Sequence, residues 1–375
     1  MTVLTPIESA RSAASPARAA VMQAVSGVAQ TELAPLVRAI DAEGLYPEGV
    51  MRAMGAAGAY RHHLPRLNET FDLRTTIDAM SRASELCLST GFCMWCQSAL
   101  GWYIFNSDNA ELHETLGAKI ATGEVLGGTG LSNPMKTLFG IEKLKLSATR
   151  VEGGYRVRGA LPWVSNIGPE AWFAVVFERE DGKRVMAVLH GSGEGVKLTA
   201  NDHFVALEGT RTYGVQCRDA WVPDAHVLAD PIDDYIPKIR GGFILLQAGM
   251  AFGMIQGCID LMEQVKPQLG HVNRHLPDQP EDFAERLAAM KAEVYALCET
   301  PHDLSREYFR RVVSARLMAG DESVAAAHNA MLHCGARGYV TGGDAQRRLR
   351  EAYFVAIVTP ATKQLRKMLA DMDAA

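Results

Sequence analysis

The sequence predicts a mainly helical α+β protein in which a small β module lies between two sets of helices. Apolar residues recur with helical spacing up to about residue 122, short alternating strands follow, and helical spacing returns after about residue 230. The chain has 375 residues, 48% of them hydrophobic, and can bury a large core without disulfides or metals. We therefore expect domains at residues 1–122, 123–230 and 231–375.

The first domain has the periodicity and the capping residues of helices. Between Leu33 and Ile40 the apolar residues fall at positions i, i+3, i+4 and i+7, which places them on one helical face. Asn109 precedes a segment with acidic residues in its first turn, a pattern typical of a helix N-terminus. Gly44 and Pro47 interrupt the helical pattern. This domain is therefore predicted to be helical throughout.

The second domain has strand and hairpin signals. Residues 172–178 and 184–190 are rich in β-branched and aromatic residues, and the Asp-Gly pair at 181–182 favours a hairpin turn between them. Similar short segments occupy residues 155–159 and 195–198. Several such strands within about 100 residues predict a small antiparallel barrel or sandwich rather than a parallel βαβ sheet.

The third domain contains a long apolar segment. Residues 241–262 carry one formal charge, Asp260, and are long enough to span a membrane. Gln247 and Gln256 lie within the segment, and its flanks lack the aromatic and cationic pattern of a membrane span. Glycines that would let a second helix pack closely recur at every fourth position, at Gly249, Gly253 and Gly257. We expect a buried helix in a bundle and no membrane association.

Composition argues against several functional classes. The 38 basic and 43 acidic side chains give a net charge of −5, which removes a general electrostatic case for binding nucleic acid or an anionic membrane. The seven cysteines are typical of buried thiols in a reducing compartment. Cys93 and Cys96 have CxxC spacing, but no second pair indicates a metal site. The first residues lack the apolar core of a secretory signal, so we expect a cytoplasmic enzyme.

The most informative segment is residues 127–166. It has neither a GxGxxG after a strand nor a Walker loop, which argues against Rossmann and P-loop folds. Two serine-containing clusters, residues 131–134 and 163–166, each supply a hydroxyl beside backbone amides, and the second adds Trp163. An isoalloxazine ring needs such hydrogen-bonding groups and a flat face. Taken alone, the pattern favours a barrel-core tryptophan and two turn-capping hydroxyls.

Five ordered segments resemble the acyl-CoA dehydrogenase family over nearly the whole chain. The two serine-containing clusters, Leu-Ser-Asn-Pro and Trp-Val-Ser-Asn, are similar to its V-T-E-P and W-I-T-N segments. Residues 209–223, 335–339 and 349–352 are similar to its G-x-R…V-x-V-P stretch, its G-G-x-G-Y turn and its L-x-R-D-A run. The resemblance implies an N-terminal helical domain, a middle antiparallel β-barrel and a C-terminal four-helix bundle, assembled as a homodimer or homotetramer.

The resemblance also implies a bound flavin, FAD with FMN as the alternative. It places the flavin ring against Trp163, hydrogen-bonded by Ser132 and Ser165, with the backbone of Thr129 and Leu131 beneath it. The residues implied at the phosphate and adenosine end of the cofactor are Arg274, Gly335, Gly338 and Lys363.

The sequence departs from the family where a catalytic base is expected. Many members carry a glutamate eight residues after the aspartate of the R-D-A run, and this glutamate removes the substrate α-proton. The corresponding position after Glu351 is Thr359, whose hydroxyl has no accessible pKa for taking a carbon-bound proton unaided. Other relatives carry the glutamate on the helix at residues 243–246, which is apolar here. Thr359 thus occupies the catalytic position, and the sequence identifies no base.

Three functions remain open. The first is a flavin-dependent oxidoreductase that acts on a small organic or acyl-thioester substrate and passes electrons to an electron-transfer partner. The second is a two-component monooxygenase that receives reduced flavin from a reductase. The third is a flavin- or acyl-CoA-binding protein without turnover. Trp95, Trp102 and Tyr103, on the helix that lines the acyl pocket in relatives, either narrow such a pocket or are ordinary core aromatics.

Overall fold

The structure, a computed structural model, describes residues 16–68, 71–201 and 203–374. Helices, a sheet and further helices follow one another in the expected order, so the predicted fold class is confirmed. The N-terminal tail, for which the sequence predicts no secretory signal, lies outside the described residues. Thr122 ends the last helix before the sheet and Ala229 ends the last strand. The domain boundaries themselves stay a prediction.

The N-terminal part consists of helices packed around one central helix. They are α1 (Pro16–Val28), α2 (Val37–Ala42), α3 (Glu48–Ala56), α4 (Leu73–Ser84), α5 (Leu88–Asn106), α6 (Ala110–Leu112) and α7 (Ala118–Thr122), with π-helical turns at Ala29–Leu33 and His113–Gly117 and a 3₁₀ turn at Ala34–Leu36. Helix α5 is buried from Leu88 to Phe105, as expected of a predominantly apolar helix surrounded by neighbours. Asn109 accepts a hydrogen bond from Leu112 N at 3.1 Å and caps α6, as predicted.

The middle part is an eight-stranded sheet within the described residues. Its strands are β1 (Gly127–Thr129), β2 (Leu146–Val151), β3 (Gly154–Val164), β4 (Trp172–Arg179), β5 (Arg184–His190), β6 (Val196–Ala200), β7 (Tyr213–Pro223) and β8 (Val227–Ala229). Hydrogen-bonded neighbours follow the order β6-β7-β3-β2-β4-β5-β8, and β1 pairs with β4. Helix α8 (Ser132–Leu138) lies between β1 and β2 in the chain.

Two pairings in this sheet are parallel, which differs in detail from the wholly antiparallel module that the sequence predicts. Ser147 of β2 aligns with Glu178 of β4, and Gly127 of β1 aligns with Trp172 of β4. Strand β3 runs antiparallel to β2, and residues 165–171 then carry the chain back before β4 begins. Strand β4 therefore has the same direction as β2. The other pairings are antiparallel.

Strand β4 is buried on both faces. Phe173, Val175 and Phe177 pack in the core of the sheet, whereas Ala174 and Val176 pack in the core formed with the helices. A strand covered on both faces has a nearly continuous apolar sequence, which explains why residues 172–177 do not alternate between polar and apolar. This double burial fixes the sheet directly against the helical core.

The C-terminal part is a set of helices that includes one long apolar stretch. Its helices are α9 (Tyr235–Leu246), α10 (Ala248–Asn273), α11 (Pro280–Leu297), α12 (Arg306–Cys334), α13 (Asp344–Ile357) and α14 (Thr362–Ala374). The stretch Tyr235–Asn273 is long and apolar enough to cross a membrane by length and composition, but 94% of its most apolar window is buried inside the fold. This burial agrees with the expected core helix, which the structure divides at Gln247.

Helix α4 packs directly on the glycines of α10. A Cβ atom on Gly249 would lie 2.7 Å from the carbonyl oxygen of Ile77, and one on Gly253 would lie 2.2 Å from the carbonyl oxygen of Ser81. Both distances are too short for a real side chain, so the close approach of the two helices requires glycine at these positions. The glycine repeat therefore serves helix packing, as the sequence predicts.

A buried ion pair fixes helix α13. Arg347 Nη1 lies 2.9 Å from Glu351 Oε2, and the two side chains are 6% and 1% exposed. Arg347 Nη2 also lies 3.0 Å from Oδ1 of the more exposed Asp344. Because α13 leads into the segment that contains Thr359, this ion pair stabilises the helix from which that segment starts.

Candidate functional site

Strand β1, which leads into the first serine-containing cluster, packs against the second cluster. A Cβ atom on Gly128 would lie 2.1 Å from the carbonyl oxygen of Ser165, so strand β1 approaches the second cluster at backbone distance. Asn166 Nδ2 donates to the carbonyl oxygen of Gly127 at 2.7 Å. The structure thus brings β1 together with the end of β3, although α8 and β2 lie between these two strands in the sequence.

Trp163 presents an exposed ring at this place. It is 60% exposed, although Leu161 and Val164 in the same strand are buried in the core of the sheet. The alternative of a barrel-core tryptophan is therefore wrong. A large ring exposed beside a buried polar segment is a surface on which a flat ligand can stack.

Ser165 is the first member of a chain of hydroxyl groups. Its Oγ lies 2.6 Å from Thr212 Oγ1, which lies 2.9 Å from Thr210 Oγ1. Thr210 Oγ1 donates to the carbonyl oxygen of Leu207 at 2.7 Å. Thr210 and Thr212 are 2% and 8% exposed, so the chain leads from the second cluster into the protein interior.

Ser132 and Thr359 form a separate pair of hydroxyl groups. Their oxygen atoms are 3.0 Å apart, although 227 positions separate the two residues in the chain. Ser132 is the first residue of α8, and Thr359 follows α13. The structure therefore brings the position of the expected base into contact with the first cluster.

Helix α5 contacts the end of β1, immediately before the first cluster. Leu131 is 2% exposed, and Thr129 Oγ1 lies 3.2 Å from the hydroxyl oxygen of Tyr103. Burial raises the pKa of Tyr103, so its phenol stays neutral and cannot act as a base near neutral pH. Tyr103 therefore holds Thr129 in place without offering a proton acceptor of its own.

Aromatic side chains surround the start of the apolar helix segment 243–246, the segment on which other relatives carry a base. Phe243 is 2% exposed, and its ring centroid lies 5.3 Å from that of Trp95 and 6.2 Å from that of Tyr103. Trp102 Nε1 donates to the carbonyl oxygen of Ile239 at 2.9 Å. These three aromatics of α5 are core residues. Among the hydrogen bonds of the described residues, none joins a carboxylate to the Ser132–Thr359 pair.

A buried arginine supports Thr359 through a glutamine. Gln247 Nε2 donates to the carbonyl oxygen of Thr359 at 2.8 Å, and Gln247 Oε1 accepts from Arg316 Nε at 2.6 Å. Arg316 Nη2 donates to the carbonyl oxygen of Val355. Arg316 is 4% exposed, and burial lowers its pKa to about 10, so it stays charged at neutral pH. These bonds connect α12 to the segment that contains Thr359.

Sequence reasoning missed Arg316 and noted Gln247 only as a polar residue in an apolar segment. A signal for Arg316 is present in the sequence: it falls on the buried stripe of α12, four and three positions after Val312 and Val313. A basic residue on such a stripe must find buried acceptors. Nothing in the sequence pairs it with Gln247, because 69 positions separate them.

The substitution Gln247→Glu should keep Arg316 paired but release Thr359. A carboxylate can accept a hydrogen bond from Arg316 but cannot donate one to the carbonyl oxygen of Thr359. We expect a nearly unchanged melting temperature, because the attraction to Arg316 offsets the desolvation of the buried carboxylate and its repulsion by the carbonyl oxygen of Thr359. We also expect roughly fivefold weaker binding of the flavin that the sequence resemblance implies, on the scale of one lost hydrogen bond. Thermal melts and equilibrium dialysis measure the two effects.

The substitution Gln247→Leu provides the matched control, because it removes both hydrogen bonds. It should lower the melting temperature and weaken flavin binding together. If the Gln247→Glu variant binds flavin as tightly as the wild type does, Gln247 does not position Thr359 for flavin binding.

The residues expected at the adenosine end of the cofactor lie apart from the clusters. Arg274 follows α10 and Gly335 follows α12, and both are exposed, whereas Gly338 is buried. Helix α10 has 26 residues and therefore separates Arg274 from Gln247 by roughly 40 Å. Lys363 is exposed near the start of α14, close to Thr359 in the chain. Asn273 Nδ2 donates to the carbonyl oxygen of His333 at 3.0 Å, so the end of α10 before Arg274 lies beside the end of α12 before Gly335.

The cysteines form neither disulfides nor a recognisable metal site. All seven are buried free thiols, and burial raises the pKa of Cys93. Over the described ranges, no group of three or more His, Cys, Asp or Glu side chains is placed to hold a metal ion. Helix α5 therefore contributes packing, rather than thiolate chemistry, to the wall of the candidate site.

The sequence has recognisable relatives. Residues 15–124 match the family model described as "Acyl-CoA dehydrogenase, N-terminal domain". Benzylmalonyl-CoA dehydrogenase of Aromatoleum aromaticum is 23% identical over 355 residues, which cover 90% of this chain and 93% of that protein. The mitochondrial short-chain specific acyl-CoA dehydrogenase of Homo sapiens is 24% identical over 372 residues, which cover 93% of this chain and 88% of the human protein.

Solved structures share the fold at low sequence identity. Butyryl-CoA dehydrogenase from Megasphaera elsdenii superposes with a TM-score of 0.85 at 15% identity, covering 96% of this chain and 98% of the other. A nitrososynthase from Micromonospora carbonacea var. africana superposes with a TM-score of 0.79 at 18% identity, covering 97% of this chain and 98% of the other. KijD3, solved in complex with FMN and a dTDP-linked amino sugar, has a TM-score of 0.79 at 17% identity. The match covers 96% of this chain and 95% of the other.

Proposed function

We propose that this chain, a divergent member of the acyl-CoA dehydrogenase family, binds a flavin at its two serine-containing clusters and catalyses an oxidation–reduction reaction with it. Its relatives are flavin-dependent oxidoreductases. One observation carries the proposal: the second cluster, with the exposed ring of Trp163, packs on β1, and the segment that follows β1 carries Ser132, which contacts the distant Thr359.

The residues present fit an isoalloxazine ring. Such a ring needs one flat apolar face and several hydrogen-bonding groups along its polar edge. Trp163 is 60% exposed and offers the face, while Ser132, Ser165 and the backbone near Thr129 offer the polar groups. A bound flavin would supply the hydride and electron chemistry. The protein side chains orient the ring, and the buried wall beside Phe243 excludes water.

We further propose FAD as the cofactor and a homodimer or homotetramer as the working form. Arg274 lies roughly 40 Å along α10 from the Gln247 that supports Thr359. Asn273, beside Arg274, donates to the carbonyl oxygen of His333, which precedes Gly335 and Gly338 in the chain. This separation supports a role of these residues towards a cofactor held by another copy of the chain. Tyr339 and Val340, beside Gly338, are 85% and 61% exposed. An apolar surface of this kind is suited to being covered by a second copy.

The reaction class favoured first is dehydrogenation of a small organic or acyl-thioester substrate, with transfer of the electrons to an electron-transfer protein. The curated relatives support this class, since their names are those of acyl-CoA dehydrogenases. Thr359 occupies one family position for a base, and the helix segment 243–246, on which other relatives carry the base, is apolar, so the substrate proton must pass to another group. Neither a threonine hydroxyl nor an apolar side chain can take a carbon-bound proton near neutral pH.

A two-component monooxygenase is the second candidate. The lack of a carboxylate at Thr359 and in the helix segment 243–246 favours it. Oxygen transfer from a flavin does not need a carboxylate to take a carbon-bound proton. It does need a site that excludes water, and Phe243 and Trp95 are 2% and 3% exposed. The partner would then be a reductase that supplies reduced flavin. The third candidate is a protein that binds flavin or acyl-CoA without turnover, and an experiment must distinguish it from the two enzymes.

The substitution Thr359→Ala should change the rate of flavin reduction by substrate less than about tenfold. A threonine hydroxyl bonded to Ser132 is not the group that takes the proton. Stopped-flow measurement of flavin bleaching in the variant and the wild type gives the comparison. A loss of more than about 10³, the scale of removing an essential acid–base group, would mean that Thr359 takes part in proton transfer after all.

Stopped-flow mixing also separates the three candidate functions. Bleaching of oxidised flavin by an acyl-CoA or another small substrate would support dehydrogenation. A transient absorbance that forms only when oxygen meets the reduced holoprotein would support monooxygenation. A holoprotein that gives neither response would support the binding role.

A further inference from the structure

The chain of hydroxyl groups that starts at Ser165 ends at a carbonyl oxygen, which can accept hydrogen bonds but cannot donate them. Thr210 Oγ1 donates its proton to the carbonyl oxygen of Leu207 at 2.7 Å. The same carbonyl oxygen also accepts from Thr210 N at 3.2 Å. A carbonyl oxygen has no proton to give, so the direction of the last hydrogen bond in the chain is fixed.

This fixed end determines the direction of every other hydrogen bond in the chain. A hydroxyl has one proton, and that of Thr210 is used by Leu207, so the 2.9 Å contact with Thr212 requires Thr212 to donate. The proton of Thr212 is then used as well, and the 2.6 Å contact with Ser165 requires Ser165 to donate. With its only proton directed inward, Ser165 keeps only lone pairs for a ligand.

The surroundings of the chain hold this arrangement in place. Thr210 and Thr212 are 2% and 8% exposed, so solvent water has little access to exchange with them. The carbonyl oxygen of Thr210 accepts from Asn166 N at 2.9 Å, which ties the threonine segment to the second cluster. The Ser132–Thr359 pair differs, because within the described residues its 3.0 Å contact has no fixed acceptor at either end.

We propose that Ser165 meets the flavin ring as a hydrogen-bond acceptor only, and that the protein therefore binds reduced flavin more tightly than oxidised flavin. The proposal rests on the proposed flavin site and adds a preference for one redox form. Two-electron reduction of an isoalloxazine adds a proton to a ring nitrogen that carries only a lone pair in the oxidised form. An acceptor oxygen attracts the resulting N–H and repels the bare lone pair.

The preference has a consequence for the protein's partner. A site that selects the reduced form is loaded by a protein that delivers reduced flavin, or it holds reduced flavin until an electron acceptor arrives. Because one hydrogen bond is gained in one redox form and replaced by a repulsive contact in the other, we expect dissociation constants that differ by at least roughly fivefold.

The test compares the two redox forms of FAD in one set of variants. Equilibrium dialysis under argon gives the dissociation constants of oxidised FAD and of dithionite-reduced FAD for the full-length apoprotein. The substitution Thr212→Val removes the acceptor that holds the Ser165 proton, so that Ser165 can turn and donate. We expect the ratio of the two constants (oxidised over reduced) to fall roughly fivefold in this variant.

Three further variants make the result specific. Thr212→Ser keeps the hydroxyl and should keep the wild-type ratio, and it also preserves the test if the valine variant does not fold. Ser165→Ala should weaken binding of reduced FAD more than that of oxidised FAD. Thr115→Val removes an exposed hydroxyl that is bonded to the Glu111 carbonyl oxygen at 2.7 Å, and it should change neither constant.

The outcomes separate this proposal from the proposed function. A wild type that binds both forms, with the same ratio in Thr212→Val and Ser165→Ala, would overturn the acceptor role of Ser165 and leave the flavin site standing. A wild type that binds neither form of FAD would overturn both. A ratio that falls in Thr212→Val and persists in Thr212→Ser supports the proposal, because a merely structural role would not distinguish the redox forms.

Discussion

The substitution Trp163→Ala is expected to raise the dissociation constant for flavin roughly tenfold to hundredfold while the protein stays folded. The ring is 60% exposed in the protein without ligand, so its removal takes little from the folded state. A flat ligand that stacks on the ring would lose about 1.5 to 3 kcal/mol of contact. Equilibrium dialysis of the apoprotein with FAD measures the affinity, and a thermal melt checks folding.

The control for this prediction is Trp221→Ala. Trp221 lies in the same sheet, on β7, and its ring contacts the Arg156 guanidinium at 5.0 Å. It lies roughly 25 Å along β7 from Tyr213, which pairs with Val164 beside Trp163. We expect it to leave flavin affinity unchanged. If the two substitutions change flavin affinity equally, or if Trp163→Ala leaves it unchanged, Trp163 is not part of the flavin site.

The substitution Arg347→Met should lower the free energy of unfolding by about 3 to 5 kcal/mol. It leaves Glu351, which is 1% exposed, as a buried carboxylate without its arginine partner. The cost arises from the uncompensated charge rather than from the lost attraction. Urea unfolding followed by circular dichroism, at one fixed protein concentration, measures the change.

Two variants isolate this effect. Arg310→Met makes the same change in an exposed pair, in which Arg310 Nε lies 3.0 Å from Asp373 Oδ1, and should alter stability little. The double variant Arg347→Met/Glu351→Leu removes both charges and should recover most of the loss. If Arg347→Met costs no more than Arg310→Met, the buried pair does not stabilise α13.

The elements with strong local signals were predictable from the sequence. Asn109 caps a helix as its acidic first turn predicts, and the glycines from Gly249 to Gly257 mark a close helix contact. The apolar run of residues 172–177 predicts a strand, but its length alone does not reveal burial on both faces. The parallel pairing of β4 with β2 depends on where residues 165–171 carry the chain, and no local pattern encodes that path.

The candidate site was predictable in its parts but not in its connections. Motif resemblance singled out Ser132, Trp163, Ser165 and Thr359, and the structure brings the segments that carry them together. The contact between Ser132 and Thr359 spans 227 positions, so only the fold can create it. The roles of these residues, and those of Arg274 and Lys363, stay predictions.

The polar groups behind the site were the least predictable. A buried stripe shows which face of α12 is covered, but not which acceptor Arg316 meets, since that depends on how α9 and α10 divide at Gln247. The hydroxyl chain from Ser165 to Thr210 depends on a turn between β6 and β7 that returns to the second cluster. Both features arise from tertiary packing, to which a single sequence gives no direct access.

The most direct test of the flavin site is anaerobic equilibrium dialysis of the purified full-length protein with FAD and FMN, each in the oxidised and the reduced form. We predict saturable binding of about one flavin per chain, with a preference for FAD and for the reduced form, and a loss of affinity in Trp163→Ala but not in Trp221→Ala. A correctly folded protein that binds none of the four ligands would contradict the account.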